Sequence, residues 1–231
     1  MKVAGTGRAI VAFGSASHQL LEAGLNPNHL FLYGLITVCC VIEGALSLGD
    51  LGIIGFAHMR SLVYDYGAFW PGLLNTWTPN FAAQPYAMFV SYSFLHSGLL
   101  HLAVNMITLW SLGRAVIDRA SQGSFVVLYG VASLGGAAVF AVLAPGLRPM
   151  VGASGSLFGL LGAILAWEYI DQYADRGDRW HVAKVVMLLA GLNLVLWWAM
   201  DGQLAWQAHF GGFITGWIAA FLIGLKPLED R

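Results

Sequence analysis

Apolar residues in this chain gather into blocks of about 20, the length a helix needs to cross the hydrocarbon of a bilayer. Six such blocks stand near 30–48, 94–117, 125–144, 154–170, 182–200 and 206–225, with polar residues collected between them. Each block predicts a transmembrane helix, because a helix closes its backbone hydrogen bonds internally and leaves none unsatisfied in lipid. The fourth block, 154–170, is the shortest, which suits a helix that starts below the membrane surface. The stretch 49–93 is rich in Gly, Pro and aromatic residues, including Phe69-Trp70-Pro71-Gly72 and Trp77. It reads as a long outer loop, and its composition leaves open whether it carries half-inserted helices.

The basic residues give these helices a direction. With the N-terminus inside, Lys2, Arg8, Arg114, Arg119, Arg176, Arg179, Lys184, Lys226 and Arg231 fall on the inner side, and only Arg60 and Arg148 fall outside. An N-in, C-in path follows. Residues 1–29 then form a cytoplasmic tail and 226–231 a second one. The apolar stretch Ala9 to Phe13 is too short for a signal-peptide core.

Composition sharpens the class. The 231 residues are 58% hydrophobic and only 10% charged, against about 25% charged in soluble domains. Mean hydropathy is +0.70. A net charge of −1 gives no basis for binding nucleic acid. The two cysteines, Cys39 and Cys40, are adjacent in an apolar run and supply no disulfide framework. Nothing in the pattern calls for a metal or another cofactor. The expected fold is an all-α polytopic membrane protein whose lipid bilayer is its solvent.

Polar groups inside membrane helices are costly and tend to face a bundle interior or a cavity. On the N-in path the second, fourth and sixth helices all start outside, and each carries polar residues near that start: His96, His101 and Asn105, then Ser154, then His209. At 1.5 Å per residue, His101 lies roughly 10 Å down and His209 roughly 5 Å. Small residues at four-residue intervals let membrane helices approach closely. The sixth helix has Gly212, Gly216, Ala220 and Gly224, and the fourth has Gly155, Gly159 and Ala163, with Gly162 beside them. These stripes predict that the two helices pack together and bring the Ser154 hydroxyl to the His209 imidazole.

Those groups suit acyl transfer. A serine hydroxyl becomes a nucleophile when a base takes its proton, and a neutral histidine serves at neutral pH. His101 and Asn105 are four apart on one helix face, so both can address one developing oxyanion. The Ser154 backbone N–H, at a helix start, adds a third donor. Glu43 and Asp201 are the acids near the outer side, and neither has spacing that ties it to His209; a Ser–His dyad is expected. The soluble nucleophile elbow is absent, because Ser156 stands where that motif needs Gly.

Three segments resemble the motifs of the rhomboid intramembrane serine proteases. Phe94 to Asn105 contains a His-x-x-x-Asn, Gly152-Ala153-Ser154-Gly155 matches Gly-x-Ser-Gly, and Ala208-His209-Phe210-Gly211-Gly212 with Gly216 resembles the sixth-helix motif. The likeness covers about 30–225 and implies a six-transmembrane-helix rhomboid-like bundle over that range. It implies Ser154 as nucleophile, His209 as base and then acid, and His101, Asn105 and the Ser154 N–H as oxyanion hole, with Gly152, Phe158, Gly212 and Gly216 in support. It also implies transmembrane protein substrates, entering near the fifth helix and cut after a small residue. Two departures stand out. Tyr86-Ala87-Met88 occupies the place of a frequent Trp-Arg pair, and Phe158 replaces a tyrosine that stacks on the histidine.

Taken singly, Ser154 is an N-cap, His209 an interfacial histidine, Asn105 interhelical glue and His96 structural; the ordered set is what points to chemistry. Glu43 is a functional candidate by default as an intramembrane acid, and is expected to hydrogen-bond to the first loop or to reach water near the outer surface. Trp197, Trp198 and Trp206 read as an aromatic belt. A silent rhomboid-like binder of membrane clients and a small transporter are the alternatives. Retention of both Ser154 and His209 weighs against the binder, and the lack of inverted repeats against the transporter. The size and bare six-helix plan suggest a bacterial plasma membrane.

Overall fold

The computed structural model describes residues 29–56, 58–144, 148–174 and 180–225. The expected N-terminal tail, apart from His29, the expected C-terminal tail and the loop residues 145–147 lie outside these residues. The described chain is helical: α1 (Leu30–Asp50), α2 (Met59–Gly67), α3 (Gln84–Ser91), α4 (Leu99–Arg119), α5 (Gln122–Leu143), α6 (Ser154–Ala174), α7 (Trp180–Ala199) and α8 (Trp206–Ala220). Of these, α1, α4, α5 and α7 are long and apolar enough to cross a membrane. The segment 49–93, whose structure the composition left open, carries the short helices α2 and α3.

Three expected boundaries are corrected. The second block starts its helix at Leu99, not near 94, because Gly98 takes φ +117° and breaks the path. His101 therefore sits in the first turn of α4 rather than seven residues down, and His96 lies before the helix. The fourth helix is not the shortest. It has 21 residues and runs beyond its apolar block to where Arg119 pairs with Asp171 and Gln172 donates to Glu168. The shortest long helix is α8, with 15 residues. After Ala220 the backbone tightens, with Leu222 N–H bonding to the Ala219 carbonyl at 3.0 Å, and the Trp167 indole N–H caps the Ala220 carbonyl at 3.0 Å. At about 22 Å, α8 falls short of the roughly 30 Å hydrocarbon.

Close backbone contact explains where α8 sits. A methyl on Gly212 would meet the Gly155 carbonyl, and one on Gly216 the Gly159 carbonyl. On its other side, a methyl on Gly136 of α5 would lie 2.8 Å from the Ala208 carbonyl, and one on Gly211 2.6 Å from the Gly135 carbonyl. The helix α8 is thus wedged between α5 and α6. One core joins α1, α4, α5 and α6, and α1 enters it through the buried stripe Leu32, Leu35 and Cys39. By contrast, Val182 is the buried residue of α7, so most of that helix faces outward.

Candidate active site

The segment before α6 is held at two points. Phe69 and Met150 form an antiparallel bridge, with N–H to carbonyl distances of 3.0 and 2.9 Å. The Gly152 N–H donates to the Tyr92 carbonyl at 3.0 Å, and Tyr92 itself is fixed by its hydroxyl donating to the Ser133 carbonyl at 2.9 Å. Gly152 has φ +121°, a conformation in which a side chain is strained. This turn delivers Ser154 as the first residue of α6.

The glycine contact between α6 and α8 brings His209 to that point. Its Nε2 lies 2.8 Å from the Ser154 Oγ. The imidazole is buried, with 5% of the residue exposed. The Phe158 ring stacks on it, centroids 4.3 Å apart at an interplanar angle of 9°. The ring that replaces tyrosine therefore keeps the stack.

His101 and Asn105 converge on the same place from α4. The Ser97 backbone N–H donates to His101 Nδ1 at 3.3 Å, and the Ser97 hydroxyl lies 2.9 Å from that nitrogen. A nitrogen that accepts from a backbone N–H carries no proton, so in neutral His101 the proton sits on Nε2. That Nε2 is 3.0 Å from where a Gly152 methyl would stand, and Asn105 Nδ2 is 3.7 Å from the same point. Asn105 Nδ2 is buried and, among the described residues, has no hydrogen-bond partner. Such an orphan donor is costly unless something accepts from it. Two donor side chains thus stand beside Gly152, two residues before Ser154 and the free first-turn N–H groups of α6.

Glu43 is fully buried. As expected it bonds the first loop. Arg60 of α2 reaches it through Nη2–Oε1 at 2.7 Å and Nη1–Oε2 at 2.9 Å. Hydrogen bonding to Glu43 pushes the Arg60 pKa above its usual value. Arg60 Nη1 and the Tyr64 hydroxyl also donate to the His96 carbonyl, at 3.0 and 2.6 Å. The buried His96 ring meets His101 edge-on, with centroids 5.3 Å apart. Arg60, not a Trp-Arg pair before α4, ties this loop to α1.

Sequence reasoning missed one polar contact of the site. The Oδ1 of Asn193 on α7 lies 2.8 Å from His209 Nδ1. The signal was available, since Asn193 interrupts an otherwise apolar run from Ala190 to Met200. A cleft of about 610 Å³ opens here between α7 and α8, lined by Phe158, Asn193, Trp197, Trp206, His209 and Phe210.

Comparison with known proteins follows the same lines. A family described as "Rhomboid domain" matches residues 83–226. RHOMBOID-like protein 5 of Arabidopsis thaliana is 35% identical over 139 residues, covering 60% of this chain and 44% of that protein. Rhomboid protease GluP of Bacillus subtilis (strain 168) is 34% identical over 131 residues, covering 57% of this chain and 25% of that protein. Rhomboid protein 1, mitochondrial, of Saccharomyces cerevisiae is 29% identical over 158 residues, covering 62% and 43%. The chain therefore spans less than half the length of these relatives. The family match extends from α3 through α8 and takes in Ser154, His209, His101 and Asn105, and with the apolar helices it establishes this chain as an integral membrane protein of the rhomboid family.

Proposed function

We propose that the protein is an intramembrane serine endopeptidase that hydrolyses peptide bonds in or near transmembrane segments of other membrane proteins. The observation that carries this reading is the 2.8 Å approach of His209 Nε2 to Ser154 Oγ, with two donor side chains beside the neighbouring Gly152. In this reading His209 takes the hydroxyl proton as Ser154 Oγ attacks the scissile carbonyl carbon. The negative charge that develops on the carbonyl oxygen is met by His101 Nε2–H, Asn105 Nδ2–H and the Ser154 N–H. Each well-placed donor lowers the barrier by about 3 kcal/mol. His209 then passes its proton to the leaving amine, and the acyl–serine ester forms. Water, deprotonated by the same imidazole, attacks the ester and releases the new carboxyl terminus.

A relative named as a rhomboid protease supports the chemistry. The buried, unpartnered Asn105 amide supports the oxyanion assignment. Transmembrane proteins are the proposed substrates, and a bacterial plasma membrane, with the site toward its outer face, the proposed location.

A fluorophosphonate probe tests the nucleophile directly. It is expected to label the wild-type protein in detergent and to leave Ser154→Ala unlabelled. Equal labelling of both would remove Ser154 from the mechanism. Co-expression with a panel of single-span membrane proteins should give cleavage with the wild type and none with Ser154→Ala.

A further inference from the structure

We propose that Asn193 is a positioning residue for His209, holding the imidazole in the tautomer whose bare Nε2 faces Ser154; this rests on the serine-protease reading above. The His209 ring is held at both nitrogens, Nε2 by the Ser154 Oγ at 2.8 Å and Nδ1 by the Asn193 Oδ1 at 2.8 Å. A carboxamide oxygen accepts and cannot donate, so the nitrogen opposite it carries the proton. A neutral imidazole has one such proton. Nε2 is therefore left with its lone pair, which is the state a general base needs. With the proton on Nε2 the ring would donate to the serine, and its one lone pair, on Nδ1, would face the Asn193 oxygen instead of the hydroxyl proton.

The placement of Asn193 argues for a role beyond its own satisfaction. It is half-buried on a helix whose flanking residues, Leu192 and Leu194, are both exposed. A polar side chain in such a run is costly and marks a functional contact. It comes from α7, whose buried residue, Val182, is near the opposite end, so tight packing of α7 does not force the contact. The position is also chemically apt. Soluble serine proteases set the base's tautomer with a carboxylate. In a membrane interior an amide does the same without the desolvation penalty of a second charge.

The test uses the full chain in detergent, with Asn193→Leu, Asn193→Asp and wild type compared. Leucine matches the shape of asparagine and removes the acceptor, while aspartate restores an acceptor. The rate of Ser154 labelling by the fluorophosphonate is expected to fall about 10- to 100-fold in Asn193→Leu, less than the roughly 100- to 10,000-fold that a general base itself contributes, because the imidazole remains. Asn193→Asp is expected to recover much of that loss. With a cleaved single-span substrate, the change should appear in kcat, with KM little altered. Ring-15N-histidine spectra, with the His209 signal assigned by its loss in His209→Ala, should show the Nδ1–H tautomer in wild type and its loss in Asn193→Leu. That readout does not depend on activity, and a merely structural asparagine would not move it. If Asn193→Leu labels at the wild-type rate and keeps the Nδ1–H tautomer, the positioning role is wrong. If wild type itself is not labelled, the protease reading fails instead.

Discussion

At the scale of single residues, Gly152 is where backbone and chemistry meet. It combines φ +121° with a Cα beside which a methyl would come within 2.8 Å of His101 Cε1. Gly152→Ala therefore carries two costs. Holding alanine in that conformation is worth about 1–3 kcal/mol, and the methyl displaces a ring assigned to the oxyanion. We expect a modest drop in melting temperature together with a fall of about 100-fold in the Ser154 labelling rate, the size of one lost oxyanion donor. An unchanged labelling rate would separate His101 from the chemistry. The pairing of Ser154 with His209 was legible because glycine spacing reports which helix faces touch. The Asn193 contact was not, because α7 carries no such stripe against α8, and a lone polar residue in an apolar run does not say what it faces.

Between helices the decisive feature is backbone contact. Gly212 has no room for a methyl because the Gly155 carbonyl occupies that space, whereas a methyl on Gly224 meets nothing within 4 Å. Gly212→Ala should push α8 from α6, at a cost of at least about 1–3 kcal/mol for overpacking, and pull His209 from Ser154. Gly224→Ala should be neutral. Thermal unfolding in detergent, run beside probe labelling, checks both; equal behaviour of the two variants would deny the contact its importance. Periodicity puts Gly224 in the same stripe as Gly212, yet of the two only Gly212 touches a neighbouring backbone. Hydropathy located the long helices because apolar length is what lipid selects. It misplaced their ends because apolarity does not encode backbone conformation. Phe221 and Leu222 are apolar yet lie in a turn, and Glu168 and Asp171 are charged yet remain helical in α6.

For the molecule as a whole, the question is what joins α1 and the first loop to the end that carries His96 and His101, and the structure places Arg60 there. Arg60 holds Glu43 of α1 through two bonds, Asp50 at 2.7 Å, and the His96 carbonyl at 3.0 Å. Glu43 is fully enclosed, and the Arg60 side chain is 20% exposed, so this pair is nearer to a buried ion pair than to a surface one. Removing one partner from such a pair strands the other charge and costs about 3–5 kcal/mol, while replacing both by apolar or neutral groups of similar size is often harmless. Arg60→Met should therefore lower stability strongly and, by freeing the His96 segment against which the His101 ring rests, slow the labelling of Ser154 as well. Glu43→Gln alone should be milder, because it removes the charge that needs a partner and keeps the side-chain shape. The double variant Glu43→Gln/Arg60→Met should be more stable than Arg60→Met, a coupling that distant sites do not show. Its labelling should stay below wild type, since Arg60's bond to the His96 carbonyl is gone in both and Tyr64 alone holds it. Stability losses that simply add would mean that the pair does not hold α1 to the loop, and that Glu43 is buried for another reason.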